Sequence, residues 1–280
     1  MMTLRCGAKT LDLSRPVVMG VVNVTPDSFS DAGRFLPVEA AVAQGVRLVE
    51  EGAAIIDIGG ESTRPGATSV SVEEELRRVV PAVEGLSKAV PQAVISVDTS
   101  KPEVMRAAIA AGAGMVNDVR ALQEPGALEA VVASDCAVCL MHMQGDPQTM
   151  QRSPSYVDVV KEVKAYLQEG VQRCRAAGVS ADRMVIDPGF CFGKTLEHNL
   201  ELLRRLSELT TAGLPVLVGL SRKSIVGTLT GRATGDRIHG SVALAVLATM
   251  AGALIVRAHD VAATVDALKV VSAVHGASRD

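Results

Sequence analysis

Along the chain, short unbroken apolar runs alternate with longer segments in which apolar residues recur every three or four positions. The runs are Val17 to Val22, Ala54 to Ile58, Val94 to Val97, Gly114 to Val116, Ala137 to Met141, Met184 to Ile186, Pro215 to Gly219 and Ala253 to Val256. They lack the apolar–polar alternation of a half-exposed strand, which is how strands covered on both faces of a parallel sheet read. The intervening segments carry helix starts. Ser71 with Glu74, and Ser100 with Pro102 and Glu103, both fit a Ser-x-x-Glu capping box. Eight βα units, undivided by any Gly/Pro/Ser-rich linker, predict an α/β fold of one domain over 1–280. A (β/α)8 barrel is favoured over an open doubly wound sheet, because eight is the number at which parallel strands close.

Polar residues sit at or just beyond the C-terminal end of every run. The first run leads into Asn23, the second into Asp57 and the loop from Gly59 to Arg64, the third into Asp98 and the fourth into Asn117 and Asp118. The fifth leads into His142, the sixth into Asp187, the seventh into Ser221, Arg222 and Lys223, and the eighth into Arg257, His259 and Asp260. The opposite ends offer mostly Pro, Ala and Gly, so polar chemistry gathers on the face where barrel enzymes build their sites.

Asp98, Asp118, Asp187 and Asn117 suit either a hard-metal cage or the edge of a flat heterocycle rich in N–H donors. Aromatic placement favours the heterocycle. The chain has no Trp, and its four Phe all fall in two strand-end loops: Phe29 and Phe35 after the first strand, Phe190 and Phe192 after the sixth. Phe in such loops is expected to cover or stack on a planar ligand. Arg222, Lys223, Arg257 and His259 come after the last two strands, where barrels commonly hold phosphate, so an anionic substrate group is expected.

Composition narrows the alternatives. The formal net charge of −3 lacks the basic excess needed for sequence-independent binding of nucleic acid or an anionic membrane. The N-terminus, with Arg5, Lys9, Asp12 and Arg15, has no apolar leader. The longest near-apolar run, Val242 to Val256, falls short of a membrane span, so a soluble, cytoplasmic protein is expected. Five cysteines without regular spacing suit a reducing compartment, and Cys136 and Cys139 fall in an apparent strand that points them to opposite faces. The stretch from Gly189 to Thr195 imitates a phosphate-binding loop, but only three residues separate its glycines, where four are needed. No G-x-G-x-x-G comes after the first strand, and the histidines show no zinc-ligand spacing.

Eight motifs in order carry a resemblance to a family. They are Gly20 to Asp31, Asp57 to Gly66, Ser96 to Thr99, Asn117-Asp118, Met141 to Gly145, Asp187 to Phe190, Gly219 to Ser224, and Arg257 to Asp260. Together they resemble the dihydropteroate synthases, over about residues 16–268. Cys191 stands where that family usually has Gly, and Ala258 where a larger aliphatic is common.

The resemblance implies condensation of 6-hydroxymethyl-7,8-dihydropterin diphosphate with 4-aminobenzoate, giving dihydropteroate and pyrophosphate in folate synthesis, with sulfonamides as inhibitors. It implies that Asp98, Asn117, Met141, Asp187, Phe192 and Lys223 hold the pterin. Asn23, Thr63, Arg257 and His259 would hold the diphosphate, with Mg²⁺ at Asn23, and Phe29, Thr63, Arg64, Pro65 and Ser224 would shape the aminobenzoate pocket. Arg257, His259, Lys223 and Asp98 are the expected catalytic groups, acting on a dissociative, carbocation-like path. Closure of the first two loops is expected from Gly33, Gly59, Gly60 and Gly66, and a homodimer through the small-residue helix around Ala243 to Ala251. Two alternatives are a methyltetrahydrofolate–corrinoid methyltransferase-like barrel, which has no need of the anion groups, and an inactive pterin-binding paralogue. Intact Asp27-Ser28-Phe29 and Ser62-Thr63-Arg64 segments argue against the second.

Overall fold

Each apolar run becomes a strand because both of its faces are covered, one by helices and one by the opposite wall of a barrel. The computed structural model describes residues 2–25, 36–62 and 69–276. In chain order the elements are β1 (Thr3–Cys6), β2 (Lys9–Asp12), β3 (Val17–Asn23), α1 (Leu36–Glu50), β4 (Ile55–Gly59), α2 (Val72–Ala89), β5 (Val94–Asp98), α3 (Pro102–Ala110), β6 (Met115–Asp118) and α4 (Ala127–Val132). They continue with β7 (Ala137–Met141), α5 (Val159–Ala176), β8 (Met184–Asp187), α6 (Leu196–Arg204), α7 (Ser207–Thr210), β9 (Leu217–Gly219), α8 (Ser224–Thr230), α9 (Ile238–Met250), β10 (Ile255–Ala258) and α10 (Val261–Gly276).

Strands β3 to β10 form one parallel sheet in the order β8-β7-β6-β5-β4-β3-β10-β9. A parallel bridge between Ile186 and Val216 closes it into the expected eight-stranded barrel. Side chains alternate strictly between inside and outside. Val18, Val22, Ile56, Ile58, Ile95, Val97, Val116, Val138, Leu140 and Val218 pack outward against the helices. Met19, Ile55, Val94, Met115, Ala137, Cys139, Val185, Leu217 and Ile255 fill the lower interior. Cys136 joins the outer core and Cys139 the inner, on opposite faces as their spacing required, and both are free thiols.

Pattern reading did not foresee the β1–β2 hairpin. It pairs antiparallel from Thr3↔Asp12 to Cys6↔Lys9, and its Leu4 and Cys6, with Leu13, seal the barrel floor beneath Met19 and Ile55. Its strands are four residues long and carry Arg5 and Lys9, so the apolar signal is only every second residue.

One capping expectation is corrected. Ser71 caps α2, accepting from the Glu74 N–H at 3.3 Å. Ser100 does not cap α3. Lys101 occupies that position without a side-chain bond, because the Ser100 hydroxyl donates to Asp118 Oδ1. A full capping box occurs instead at Thr195 and His198, where an imidazole replaces the usual Glu.

Among the described residues, no helix is long and apolar enough to cross a membrane.

Candidate active site

The alternation that packs the barrel also decides which polar residues reach its mouth. Register pairs Val21 with Asp57 and Asn23 with Gly59, then Asp57 with Ser96 and Gly59 with Asp98. Asp98 sits beside Asn117, Asn117 beside Cys139, and Met141 beside Asp187. On the far side Arg257 pairs with Met19 and Gly219. Asn23, Asp57, Asp98, Asn117, Met141, Asp187 and Arg257 therefore all face inward at one end of one barrel.

The same rule takes Asp118 out of the expected cluster, and loop packing and an ion pair take out Phe190 and Arg222. Asp118 is next in the chain to the inward Asn117 and so points outward, where Ser100 Oγ and the N–H groups of Arg120 (2.9 Å) and Leu122 (2.7 Å) donate to it. Its carboxylate ties the loop after β6 and is not part of the mouth. Phe190 is fully buried in the outer core rather than free to stack on a ligand. Arg222, in a left-handed conformation (φ 58°), forks onto Asp260, with Nε at 3.0 Å and Nη2 at 2.5 Å. Its charge is thus taken up away from an anion site.

Arg257 and Asp98, read from sequence as serving opposite ends of a ligand, are paired. Arg257 Nη2 donates to Asp98 Oδ2 at 2.8 Å, and its Nε donates to Asp57 Oδ2 at 2.7 Å. Burial opposes the guanidinium charge, but the two carboxylates more than offset it and raise its pKa. Burial raises the Asp98 carboxyl above the usual range, Arg257 opposes that shift, and Asp57 adds to it. Asp187 is likewise raised by burial, against the pull of Lys223 and of the Gly189 N–H, which donates to it at 2.7 Å.

Lys223 reaches across the mouth from the start of α8. Its Nζ donates to the Phe190 carbonyl at 2.7 Å and lies 4.6 Å from the centre of the Phe192 ring. Burial lowers its pKa. Phe192 packs on Val119, Met141, Met143 and Met150, an apolar wall beside the acceptors. Asn117 donates through Nδ2 to Asp57 at 3.0 Å, while its Oδ1 is buried without a partner. The Ser221 hydroxyl accepts the backbone N–H of His259 and lies 3.1 Å from its Nδ1. Ser224 opens α8 and is exposed. Phe29, Phe35, Thr63, Arg64 and Pro65 lie outside the described residues, as do Gly33 and Gly66 of the two expected closing loops.

Three residues have roles that the sequence did not reveal. Asp57 interrupts the run Ile55-Ile56-Asp57-Ile58, and a carboxylate inside such a run cannot be a mere loop starter. Lys194, the lysine of the rejected phosphate loop, is buried. Its Nζ bonds the Gly189 carbonyl (2.9 Å), the Phe192 carbonyl (3.1 Å) and His142 Nδ1 (2.9 Å). Burial lowers its pKa to about 7 and, with Lys194 beside it, lowers that of His142 to about 3. His142 is flanked by Tyr166 and Tyr156, with ring centres at 4.9 and 6.1 Å. Cys191 has φ 68°, a conformation that suits glycine and accounts for the residue usual at this place in the resembled family.

A closed parallel barrel with buried carboxylates, a buried lysine and an apolar wall at its C-terminal mouth defines a small-molecule-binding barrel enzyme. The sequence profile described as pterin binding enzyme matches residues 19–259. The chain is 53% identical over 272 residues to dihydropteroate synthase of Escherichia coli, covering 97% of this chain and 96% of that one. A Yersinia pestis dihydropteroate synthase in a sulfonamide drug complex superposes with TM-score 0.93 at 51% identity, covering 99% of this chain and 100% of that one. A Xanthomonas albilineans dihydropteroate synthase in complex with 7,8-dihydropteroate superposes with TM-score 0.89 at 53% identity, covering 98% of both chains. The chain belongs to the pterin-binding enzyme family, among the dihydropteroate synthases.

Proposed function

We propose that this chain condenses 6-hydroxymethyl-7,8-dihydropterin diphosphate with 4-aminobenzoate, releasing pyrophosphate and forming 7,8-dihydropteroate. The observation that carries the reading is the ring of acceptors at the mouth. Asp98, Asp187 and Asn117, whose Oδ1 has no partner among the described residues, face inward at the barrel mouth, on the side where Met141 and Phe192 form an apolar wall. Acceptors of that number suit the N–H and amino edge of a pterin, and Lys223 supplies a donor for its carbonyl side. The apolar wall suits the ring face.

Arg257 and His259 would take the diphosphate, with Asn23 beside them. Ser224 and the segments holding Phe29, Thr63, Arg64 and Pro65 would bind 4-aminobenzoate. Magnesium fits Asn23 in a limited way. Among the described residues no group of three His, Cys, Asp or Glu is gathered to cage a metal, and Asn23 offers one hard amide oxygen, which suits an ion that keeps mostly water and phosphate oxygens. Bound there, it would neutralise diphosphate charge.

The chemistry asks for departure of a diphosphate from a methylene carbon and attack by a weakly basic amine. Leaving-group stabilisation by Arg257 and His259 then matters most, on a dissociative path in which the electron-rich ring spreads positive charge. The buried carboxylates Asp98 and Asp187 stabilise that charge as it develops. No strong general base is needed, because the amine proton becomes acidic only after attack. We further propose that the chain works in the cytoplasm as a homodimer of single-domain subunits. The face around α9 and α10, where Leu247, Met250, Val270 and Val274 are exposed, is the candidate contact.

The test is pyrophosphate release with and without 4-aminobenzoate. Release that requires both substrates supports the reading. Release without the amine, or none with both, refutes it, and methyl transfer to a corrinoid would favour the alternative.

A further inference from the structure

Asp57 is not among the groups that hold the ligand, yet it governs one of them. It lies inside the barrel one layer below the mouth, fully buried, and accepts from three other strands. Ser96 Oγ donates to Oδ1 at 2.6 Å, while Asn117 Nδ2 at 3.0 Å and Arg257 Nε at 2.7 Å both donate to Oδ2. An ionised carboxylate offers acceptors only, and the arginine pairs its charge where water cannot reach. It therefore dictates which end of the Asn117 amide faces it, because two oxygens opposed at that distance would repel. The NH₂ end turns to Asp57 and Oδ1 is left facing the other way, buried and without a partner in the protein. A buried acceptor without a donor costs about 1–3 kcal/mol, so the fold holds Asn117 in an orientation that a donor from outside the protein, such as a ligand N–H, relieves.

We propose that Asp57 is a positioning residue for ring recognition: it locks the Asn117 amide so that Oδ1 is presented to a heterocycle N–H. The inference rests on the pterin reading of the mouth. Asp57 touches no substrate, and its influence on ring affinity runs through Asn117. Without it the amide is free to turn over, presenting NH₂ where the ring also carries a hydrogen.

Two substitutions separate orientation from simple bulk. In Asp57→Asn the side-chain oxygen still accepts from Asn117, with the new NH₂ turned toward the Ser96 oxygen, so the lock survives. In Asp57→Ala it is lost. Binding of 6-hydroxymethyl-7,8-dihydropterin is measured by titration calorimetry for wild type, Asp57→Ala, Asp57→Asn, Asn117→Ala and the Asp57→Ala/Asn117→Ala double variant. Asp57→Ala should weaken the ring by roughly tenfold or more, Asp57→Asn should restore most of that, and the double variant should bind no more weakly than Asn117→Ala alone. Additive losses, as from a merely structural role, overturn the proposal, as does an Asp57→Asn variant as weak as Asp57→Ala.

Should Asp57→Ala not fold, a crystal structure of wild type with the dihydropterin decides. Asn117 Oδ1 within hydrogen-bond reach of a ring nitrogen, with Nδ2 still on Asp57, supports the proposal, and an amide turned the other way ends it. A wild-type chain that binds no dihydropterin overturns the functional reading itself, and this inference with it.

Discussion

Gly189 sits at a pivot between packing and chemistry, and replacing it with alanine makes a quantitative test. Its φ is +67°, and a Cβ built there would stand 1.8 Å from the His142 carbonyl oxygen. That is roughly one and a half ångströms short of ordinary contact, against backbone that cannot swing aside like a side-chain tip. Gly178, just past α5, supplies the control, because its φ is +95° and nothing lies within 4 Å of its Cβ position. Gly178→Ala therefore carries only the left-handed backbone penalty, about 1 kcal/mol after the offset from the lower entropy of the unfolded chain is subtracted. Gly189→Ala carries that penalty plus the clash, about 3 kcal/mol or more in total. At roughly 2–4 °C per kcal/mol for a chain of this size, Tm should fall by about 3 °C for the first and about 10 °C for the second.

The functional consequence is separate. The Gly189 N–H donates to Asp187 and its carbonyl accepts from Lys194, while the neighbouring Phe190 carbonyl holds Lys223. A turn forced off His142 thus loosens two ring-binding groups together, and dihydropterin affinity should drop by roughly tenfold or more on the loss of one or two charge-assisted bonds. Differential scanning calorimetry and dihydropterin titration on both variants provide the check. If Gly189→Ala melts within a degree or two of Gly178→Ala, or binds the ring as wild type does, the reasoning from close approach is wrong.

Further expectations concern other parts of the barrel. Arg257→Lys keeps a charge between Asp57 and Asp98 but loses the fork, so kcat should fall more than dihydropterin affinity; equal losses would contradict its role on the leaving group. Lys194 has its pKa lowered to about 7, so between pH 7 and its unfolded value near 10.5 the unfolded chain holds a proton that the native chain does not. Wild-type stability should therefore rise with pH across that window relative to Lys194→Met, by at most about 1.4 kcal/mol per pH unit, and a flat difference in urea midpoints between pH 7 and 9 would refute it. Leu4→Ala opens the sealed barrel floor and should cost about 2–5 kcal/mol in urea unfolding while leaving the dihydropterin KM unchanged; a shifted KM would show that floor and mouth are coupled.

Strand positions were legible in the sequence because a strand buried on both faces writes itself as an unbroken apolar run, and the ends of those runs marked the mouth. Facing was not legible. Asn117 and Asp118 are adjacent and both polar, yet one looks into the barrel and the other into the loop after β6, a distinction set by register with β5 and β7. Phe190 and Phe192 also divide between core and mouth, here through the path of the loop after β8 and not through strand alternation. Arg222 had the right charge in the right loop, but Asp260, 38 residues on, claims it. The hairpin that closes the floor was hidden by its brevity, and Asp57 by its place within a strand run. The registers and the Arg222–Asp260 pair are long-range, and local spacing does not encode them.

The tyrosines around His142 have a practical consequence. The chain has no Trp and only two Tyr, and both stand against this one imidazole on the β7 side of the barrel. Its intrinsic ultraviolet emission is therefore a local signal, confined to the neighbourhood where Lys194 pins the Phe192 loop. A single tryptophan introduced elsewhere would report on its own surroundings against an almost dark background, while the native phenols serve as a built-in, label-free gauge of that loop.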